Sequence, residues 1–346
     1  MSFVEALRRL PKTELHCHLE GTMRSSTVAE LAAKNGIALP VDDPAELYRY
    51  ENLTGFLDVF WLVQSVLVDR GDWARLAYES LIDGVADGLI YREAFFTPAR
   101  HLAAGQSLAD IVAGIDEGLA AAEAETGAVG RMIFDIDRAY GAAAGLEQVT
   151  ELVGLHLAGA AGTERVIGIG MDSTELGIDP RTFGESYALA GRTGLRRTAH
   201  QGENSPAAAI AAALDDLGCE RIDHGISIFE DPELVRRVAD RRIPLTVCPN
   251  ANVRINPDLF ARLEDHVFPK MRAAGLLATL NTDDPGLIDL DLGQEYALTA
   301  AAFDYGWDDM VAIALDGVEA SWADATERAA LRATITTAAA ALASIR

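Results

Sequence analysis

Eight short apolar segments recur along the 346-residue chain, and most are separated by longer segments of helical character. The intervening segments, such as 108–124 and 232–241, place apolar residues three and four positions apart. The apolar segments are residues 13–19, 89–97, 131–137, 166–171, 197–200, 221–224, 243–248 and 276–281. Strands joined by crossover helices pair in parallel, and eight such units fit a closed barrel better than an open sheet. The sequence therefore predicts an α/β fold, a single (β/α)8 TIM-type barrel.

Two regions depart from the regular alternation. The interval between the first two apolar segments is much longer than the others and predicts a helical insertion after strand 1. Its aromatic residues Phe56, Phe60 and Trp61 are candidates for a lid that contacts a substrate. The Ala-rich tail from Trp307 to Arg346 predicts C-terminal helices outside the barrel. No Pro/Ser-rich linker divides the chain, so residues 1–346 are predicted to form one domain.

Composition excludes several classes of partner. The formal charge is −24, from 29 basic and 53 acidic residues, so nucleic acid and anionic membranes are not expected partners. No segment approaches the roughly 18 apolar residues of a membrane span, and the first residues lack the apolar core of a signal peptide. The three cysteines form no CxxC pair. We expect a cytoplasmic protein, and the sequence leaves open whether it forms a homo-oligomer.

Polar motifs follow four of the predicted strands. In a barrel the carboxyl ends of the strands share one face, where the reactive groups of such enzymes collect. The motifs are Glu14-Leu15-His16-Cys17-His18, Thr198-Ala199-His200-Gln201-Gly202-Glu203, Arg221-Ile222-Asp223-His224-Gly225 and Leu280-Asn281-Thr282-Asp283-Asp284-Pro285. Each motif alone is weak, but their coincidence at strands one, five, six and eight predicts a catalytic site.

The residue types in these motifs are those of a metal-dependent hydrolase. Three imidazoles and a carboxylate can hold a divalent metal and leave a position for water, while further groups move protons. His16 and His18 are two residues apart, so on a strand both point to the same side. His101, His156 and His266 lie in or beside helical segments without comparable partners, and the sequence assigns them no role.

Five motifs resemble, in order and spacing, those of the adenosine/adenine deaminase family within the amidohydrolase superfamily. They are PKTELHCHLEGTMR, AHQGEN, ERIDHGI, PLTVCPNANV and LNTDDP. The resemblance extends from about Pro11 to about Tyr296. It implies a (β/α)8 barrel with one Zn²⁺ per chain, which hydrolyses the exocyclic amine of a 6-aminopurine by attack of metal-activated hydroxide at C6. The implied ligand is therefore a small purine.

The resemblance also implies roles for particular residues. The implied zinc ligands are His16, His18, His200 and Asp283. Glu203 matches the acid that protonates purine N1, and His224 matches the imidazole that orients and deprotonates the water. Asp284 matches a carboxylate that helps to position the water and purine N7. Since N1 must take a proton before the ring accepts a nucleophile at C6, an acid of this kind is chemically required.

The branch of the family is suggested by residues around these motifs. Glu20 stands where adenosine deaminases carry an Asp that contacts ribose, and therefore resembles the adenine-type branch. In the segment Ile169-Gly170-Met171-Asp172-Ser173-Thr174-Glu175, Gly170, Asp172 and Ser173 are candidate substrate-binding residues. The segments RIDHG and EAFFTP also resemble adenine deaminases. These residues favour adenine as the substrate and a place in purine metabolism.

Other substrates stay open at this stage. Gln201 replaces the usual Ala of the H-A-G-E motif, and Gly286-Leu287-Ile288-Asp289 replaces the aromatic-Gly-Gly segment of adenine-type members. The alternatives are adenosine, an N6-modified adenine, aminodeoxyfutalosine and, less favoured, a non-catalytic purine-binding barrel. The intact metal, acid and base set argues against a non-catalytic protein.

Overall fold

The computed structural model describes residues 1–50 and 53–343. All pairings between its strands are parallel. The strands are β1 (Lys12–Glu14), β2 (Leu89–Phe96), β3 (Val129–Asp137), β4 (Val166–Asp172), β5 (Arg196–Arg197), β6 (His200–Gln201), β7 (Ile222–His224), β8 (Pro244–Val247) and β9 (Leu277–Leu280). Strands β1 to β5 pair in chain order, and so do strands β6 to β9.

The two runs of strands join into a ring through two junctions. Between β5 and β6, Thr198 N donates to Ile169 O at 3.0 Å, and Asp223 N donates to Ala199 O at 2.9 Å. On the other side, Cys17 pairs with Asp283 in a parallel bridge that links the first and last strands. The strands β5 and β6 thus share the fifth of eight positions. This arrangement confirms the predicted α/β barrel.

The first strand is shorter than the sequence predicts. The predicted segment was 13–19, but β1 ends at Glu14 because Leu15 N donates to the side chain of Asn281, at 2.8 Å, in place of a neighbouring strand. Strand-like pairing resumes only in the single bridges of Cys17 and His18. The other seven predicted segments coincide with the observed strands within a few residues, with the fifth divided as described.

Fifteen α-helices surround the ring in the described part of the chain. They are α1 (Phe3–Arg9), α2 (Ser25–Asn35), α3 (Leu53–Ser65), α4 (Arg70–Ala86), α5 (Ala99–Ala103), α6 (Leu108–Thr126), α7 (Gly141–Leu157), α8 (Gly184–Arg192), α9 (Ala207–Asp215), α10 (Pro232–Asp240), α11 (Pro249–Ile255), α12 (Phe268–Ala273), α13 (Leu292–Ala302), α14 (Trp307–Ala320) and α15 (Ala325–Ala343). Local sequence sets their ends: at α6, Ser107 caps the first turn and Gly127 ends the helix at φ 76°.

The helical insertion and the C-terminal helices are both present. Helices α2, α3 and α4 lie between β1 and β2, as predicted. Helix α14 packs against β1 and β9, where a Cβ on Gly317 would overlap the Thr13 hydroxyl. The last three residues of the predicted C-terminal helical segment lie outside the described residues. None of the described helices is both long and apolar enough for a membrane crossing.

Candidate metal centre and active site

Four predicted ligands meet at the carboxyl ends of the strands. One ligand atom from each of His16, His18, His200 and Asp283 lies within 4.8 Å of the other three. Asp283 Oδ1 lies 3.3 Å from His16 Nε2 and 3.4 Å from His18 Nε2, and the Nε2 atoms of His18 and His200 are 3.0 Å apart. Metal bonds of about 2.0–2.1 Å at tetrahedral angles would separate ligand atoms by about 3.4 Å. The spacing therefore fits a single metal ion.

The hydrogen bonds of the rings leave the nitrogens free for such an ion. His16 Nδ1 contacts Thr246 O at 3.1 Å, and His200 Nδ1 contacts Met171 O at 3.0 Å. Because a carbonyl only accepts, each Nδ1 carries the proton and each Nε2 of the neutral ring keeps its lone pair. His16 Nε2 is buried and has no hydrogen-bond partner in the described part of the chain. Lone pairs that converge in this way are stabilised by a bound cation.

The protonation states of the side chains in the cluster also suit a metal ion. Burial lowers the pKa of His18 to about 4 and that of His200 well below its usual range, so both rings are neutral ligands. Burial opposes ionisation of Asp283, but the neighbouring His16 holds the pKa of that carboxyl below its ordinary value. Burial opposes a charge on His16, but the neighbouring Asp283 raises the pKa of that ring, so metal binding would displace a proton from it. The cluster thus offers two neutral imidazoles, those of His18 and His200, and a carboxylate, the form in which these groups bind metal.

The predicted acid and imidazole face each other beside the metal cluster. Glu203 Oε2 lies 3.9 Å from His224 Nε2. Burial raises the pKa of Glu203, which favours the protonated carboxyl. His224 has φ 63°, the left-handed region, which few residues other than glycine adopt. Such conformations often occur at functional sites because surrounding structure enforces them.

Glu175 holds the loop that carries Glu203. Its carboxylate accepts hydrogen bonds from the backbone amides of Gly202, Glu203 and Asn204 at 2.7, 3.0 and 3.2 Å. Gln201 Nε2 also donates to Glu175, at 3.0 Å, and Ser205 Oγ donates to the same carboxylate. Gln201, which departs from the family motif, therefore supports this loop, and it is not among the residues that line the cavity.

Asp284 lies next to the metal cluster and lines the cavity. Burial, together with the charge of Asp283, raises its pKa well above the ordinary value. Its Oδ1 has no hydrogen-bond partner among the described residues. A Cβ on Gly21 would overlap this oxygen, so the glycine of the HLEG segment gives the carboxyl its room.

A cavity of about 170 Å³ lies over the cluster. It is lined by the ligands His18, His200 and Asp283, by Glu203, His224 and Asp284, and by five of the predicted substrate-binding residues, Phe56, Phe60, Trp61, Asp172 and Ser173. The aromatic residues come from helix α3 of the insertion, as the lid prediction requires. Arg100 lies over the Trp61 ring, 4.3 Å from its centroid. Arg100 and Gln64 also line the cavity, and no motif in the sequence predicted either of them.

Two predicted substrate-binding residues are not among the cavity-lining residues. Glu20 is fully buried behind Thr97, whose backbone N donates to Glu20 Oε1 at 2.9 Å, and burial raises the Glu20 pKa to about 7. Gly170 lies against Asp135, whose carboxyl would overlap a side chain at that position. Gly170 is therefore required for packing in this structure. A direct contact between Glu20 and a purine stays a prediction.

The EAFFTP segment, residues 93–98, connects the interior of the barrel to the cavity wall. Thr97 lines the cavity, and its hydroxyl donates to Asp172 Oδ2 at 2.5 Å. At the other end of the segment, Glu93 accepts from Arg221 Nη1 at 2.6 Å inside the barrel. The segment therefore combines a structural ion pair, made by Glu93, with a cavity-lining residue, Thr97, because strand β2 runs from the interior of the barrel to the cavity wall.

Comparison with known proteins agrees with this geometry. The sequence profile of the adenosine deaminase family matches residues 11–338. An adenine deaminase from Streptomyces coelicolor is 40% identical over 284 residues, 81% of each protein. The solved structure of adenine deaminase from Arthrobacter aurescens has a TM-score of 0.89 at 33% identity and covers 94% of this chain and 98% of that one.

A solved amidohydrolase from Burkholderia ambifaria, with bound Zn, has a TM-score of 0.91 at 31% identity and covers 100% of this chain and 95% of that one. These similarities extend over nearly the whole barrel and include the segments that carry the metal cluster. They confirm the class of enzyme that the motifs predicted, an aminohydrolase. The chain belongs to the adenosine deaminase family.

Proposed function

We propose that the chain is a zinc-dependent adenine deaminase that converts adenine and water to the 6-oxopurine and ammonia. The observation that carries the proposal is the convergence, in one small cavity, of imidazole lone pairs with an acid whose pKa is raised. The Streptomyces and Arthrobacter relatives, both adenine deaminases, support the same substrate. Imidazole and carboxylate donors suit Zn²⁺, and the Burkholderia neighbour holds Zn.

The chain's own residues supply the remaining chemistry. When bound, a divalent metal provides a water whose pKa is lowered toward neutrality. Glu203, whose protonated form is favoured by burial, donates its proton to purine N1 and makes C6 electrophilic. The water oxygen then bonds to C6. Asp284 and His224 orient the water from the cavity wall.

The proton balance closes with the same groups. Both protons leave the water as its oxygen becomes the 6-oxo group. One passes to N6, which leaves as ammonia when the C6–N6 bond breaks, and the other restores the acid form of Glu203. The proton first given to N1 stays on the product. Glu203 therefore serves as donor and acceptor in a single turnover.

The cavity's size and charge favour a free base. Its volume of about 170 Å³ is smaller than the roughly 300–1,000 Å³ typical of sites for drug-sized ligands. Of the described residues that line it, only Arg100 carries a permanent positive charge, whereas Asp137, Asp172 and Glu175 add carboxylates. A phosphate group would meet these acids. A neutral base without a sugar or phosphate fits this lining better than a nucleotide does.

A comparison of kcat/KM for four substrates tests the proposal. We expect kcat/KM for adenine to exceed that for adenosine by about 5- to 150-fold, because a ribosyl group would leave a buried polar group without its partner. Purified protein should be assayed in parallel with adenine, adenosine, N6-methyladenine and aminodeoxyfutalosine. A preference for adenosine by a similar factor would assign the chain to the nucleoside branch. Turnover of none of the four would contradict the proposed reaction.

A further inference from the structure

The side chain of His266 has one defined tautomer. The backbone N–H of Phe268 donates to His266 Nδ1 at 3.0 Å. Because an amide N–H cannot accept, Nδ1 must carry a lone pair. His266 is 4% exposed, and burial lowers its pKa to about 3, so the ring is neutral. A neutral imidazole with a lone pair on Nδ1 carries its proton on Nε2.

This proton fixes the orientation of a buried amide. His266 Nε2 lies 3.2 Å from Asn252 Oδ1, which must therefore accept the hydrogen bond. The amide Nδ2 of Asn252 then faces the other way. It donates to Glu203 Oε1 at 2.8 Å and contacts His224 Nδ1 at 3.3 Å. Asn252 is fully buried, so water does not compete for these bonds.

The orientation of the amide decides which nitrogen of His224 is protonated. Since Asn252 Nδ2 can only donate, His224 Nδ1 accepts, and the neutral His224 ring carries its proton on Nε2. Nε2 is the nitrogen nearer to the Glu203 carboxyl, and His224 lines the cavity. The ring therefore presents a hydrogen-bond donor to the reacting groups.

We propose that His266 is a positioning residue that acts through Asn252 to hold His224 as the Nε2–H tautomer and to aim the Glu203 carboxyl. We call this chain of four hydrogen bonds, from Phe268 N through His266 and Asn252 to Glu203 and His224, the His266–Asn252 relay. In this arrangement His224 orients the water by donation from Nε2. The tautomer follows from the hydrogen-bond geometry and from the burial of His266, whereas the catalytic consequence rests on the proposed function.

Nitrogen NMR on the metal-loaded protein tests the tautomer without any substrate. With ¹⁵N-labelled histidine, and with His224 assigned from the spectrum of His224→Gln, we expect His224 Nδ1 to be unprotonated and Nε2 to be protonated. In His266→Phe, which removes both hydrogen bonds of the ring, this preference should be lost. In His266→Gln, whose amide can still donate to Asn252, it should be kept. A proton on His224 Nδ1 in the parent, or an unchanged tautomer in His266→Phe, would overturn the relay.

Steady-state kinetics with adenine test the consequence for catalysis. We expect His266→Phe to lower kcat about 10- to 100-fold, the usual cost of removing an outer partner of a reacting group, with little change in KM or metal content. His266→Gln should recover most of the loss. Equal kcat in the parent and His266→Phe, or no recovery in His266→Gln, would contradict the positioning role.

A matched control separates this effect from a general loss of stability. His101 is 3% exposed, and burial lowers its pKa to about 4; it packs on Trp73 with 4.7 Å between ring centroids. His101→Phe therefore makes the same change at similar burial outside the relay, and we expect its kcat to match the parent's. An equal loss of kcat in His266→Phe and His101→Phe would show that the effect comes from altered packing and not from the hydrogen bonds of the relay. If the parent does not turn over adenine, the proposed function fails while the NMR result still decides the relay.

Discussion

Two sets of buried polar side chains in the barrel differ in whether hydrogen bonds within the chain satisfy them. In the strand body, Lys12 Nζ donates to three backbone carbonyls, the nearest at 2.6 Å, and Arg92 donates to Glu14 and to Ser80. We call Lys12, Glu14 and Arg92 the strand-body cluster. At the strand ends, within the described chain, several buried atoms have no hydrogen-bond partner. These include His16 Nε2, His18 Nδ1, Glu20 Oε2 and Asp284 Oδ1.

The two sets of side chains are expected to serve different purposes. A buried polar atom without a partner costs about 1–3 kcal/mol, so the strand-end groups destabilise the ligand-free protein. We expect a bound metal to complete His16 Nε2, whereas the strand-body cluster is complete within the chain. We therefore expect substitutions at the strand ends to remove function and substitutions in the strand body to remove stability. The following experiments test that division in order of decreasing effect.

Removal of one metal-ligating side chain should have the largest effect on metal content and turnover. The parent protein is expected to hold about one equivalent of metal, and His200→Ala should lose most of that metal and all measurable turnover, because one of four ligands is gone. Elemental analysis of the purified variant gives the content. His156→Ala, the same change on helix α7, is the control and should retain both. Equal metal in His200→Ala and the parent would remove His200 from the ligand set.

Loss of the acid should be the next largest effect. Glu203→Gln keeps the size of the side chain but cannot give a proton to N1, so kcat should fall about 10²- to 10⁴-fold while the metal is retained. Stopped-time assays with adenine and elemental analysis measure the two quantities. Glu185→Gln, an exposed substitution on helix α8, should have no effect. Near-parental turnover in Glu203→Gln would refute its role as the acid.

In the strand body, Arg92→Met should destabilise the protein without removing the chemistry. The change leaves the fully buried Glu14 without its guanidinium partner, and breaking a buried pair costs about 3–5 kcal/mol. Urea unfolding measures the loss. The exposed pair of Arg332 and Glu319 offers a control, since Arg332→Met should cost at most about 1 kcal/mol. If Arg92→Met kept the parent's unfolding free energy but lost turnover, the expected division between residues for stability and residues for function would be contradicted.

The smallest effect concerns the pH dependence that Lys12 gives to stability. Burial lowers the Lys12 pKa from 10.5 to about 7. Between these two values the unfolded chain binds more protons than the folded one, so the parent's free energy of unfolding should rise with pH relative to Lys12→Met. The slope is at most about 1.4 kcal/mol per pH unit and vanishes below about pH 7. Urea unfolding of both proteins from pH 6 to 9 measures it, and a constant difference would show that Lys12 stays charged when folded.

Much of the site could be anticipated because the relevant signals are local. The ligand residues lie in short motifs at strand ends, and the barrel brings those ends together whatever the details of packing. Glu175 and Asn252 were contained in quoted motifs but received no role. Their function depends on backbone amides and side chains distant in sequence, as in the bonds from Asn252 to Glu203 and His266. No local pattern reports such contacts.

Residue type alone did not show the surroundings of two further residues. Gly170, a candidate substrate-binding residue, packs against Asp135, and Gln201, which replaces the usual Ala of the family motif, supports the Glu203 loop. Which way a side chain or backbone atom points depends on neighbours from other strands.

The alternation of strands and helices and the class of fold could be predicted from hydrophobic periodicity. The residue types of the four polar motifs indicated a metal-dependent hydrolase, and the resemblance of five motifs to the adenosine/adenine deaminase family implied the individual residues that bind a metal and move protons. The tertiary structure decided which nitrogens of the histidines remain free, which acids lie buried behind the cavity, and that His266 contacts Asn252. Such properties arise from burial and from hydrogen bonds between distant segments, because the proton positions and pKa values of buried groups are set by their surroundings.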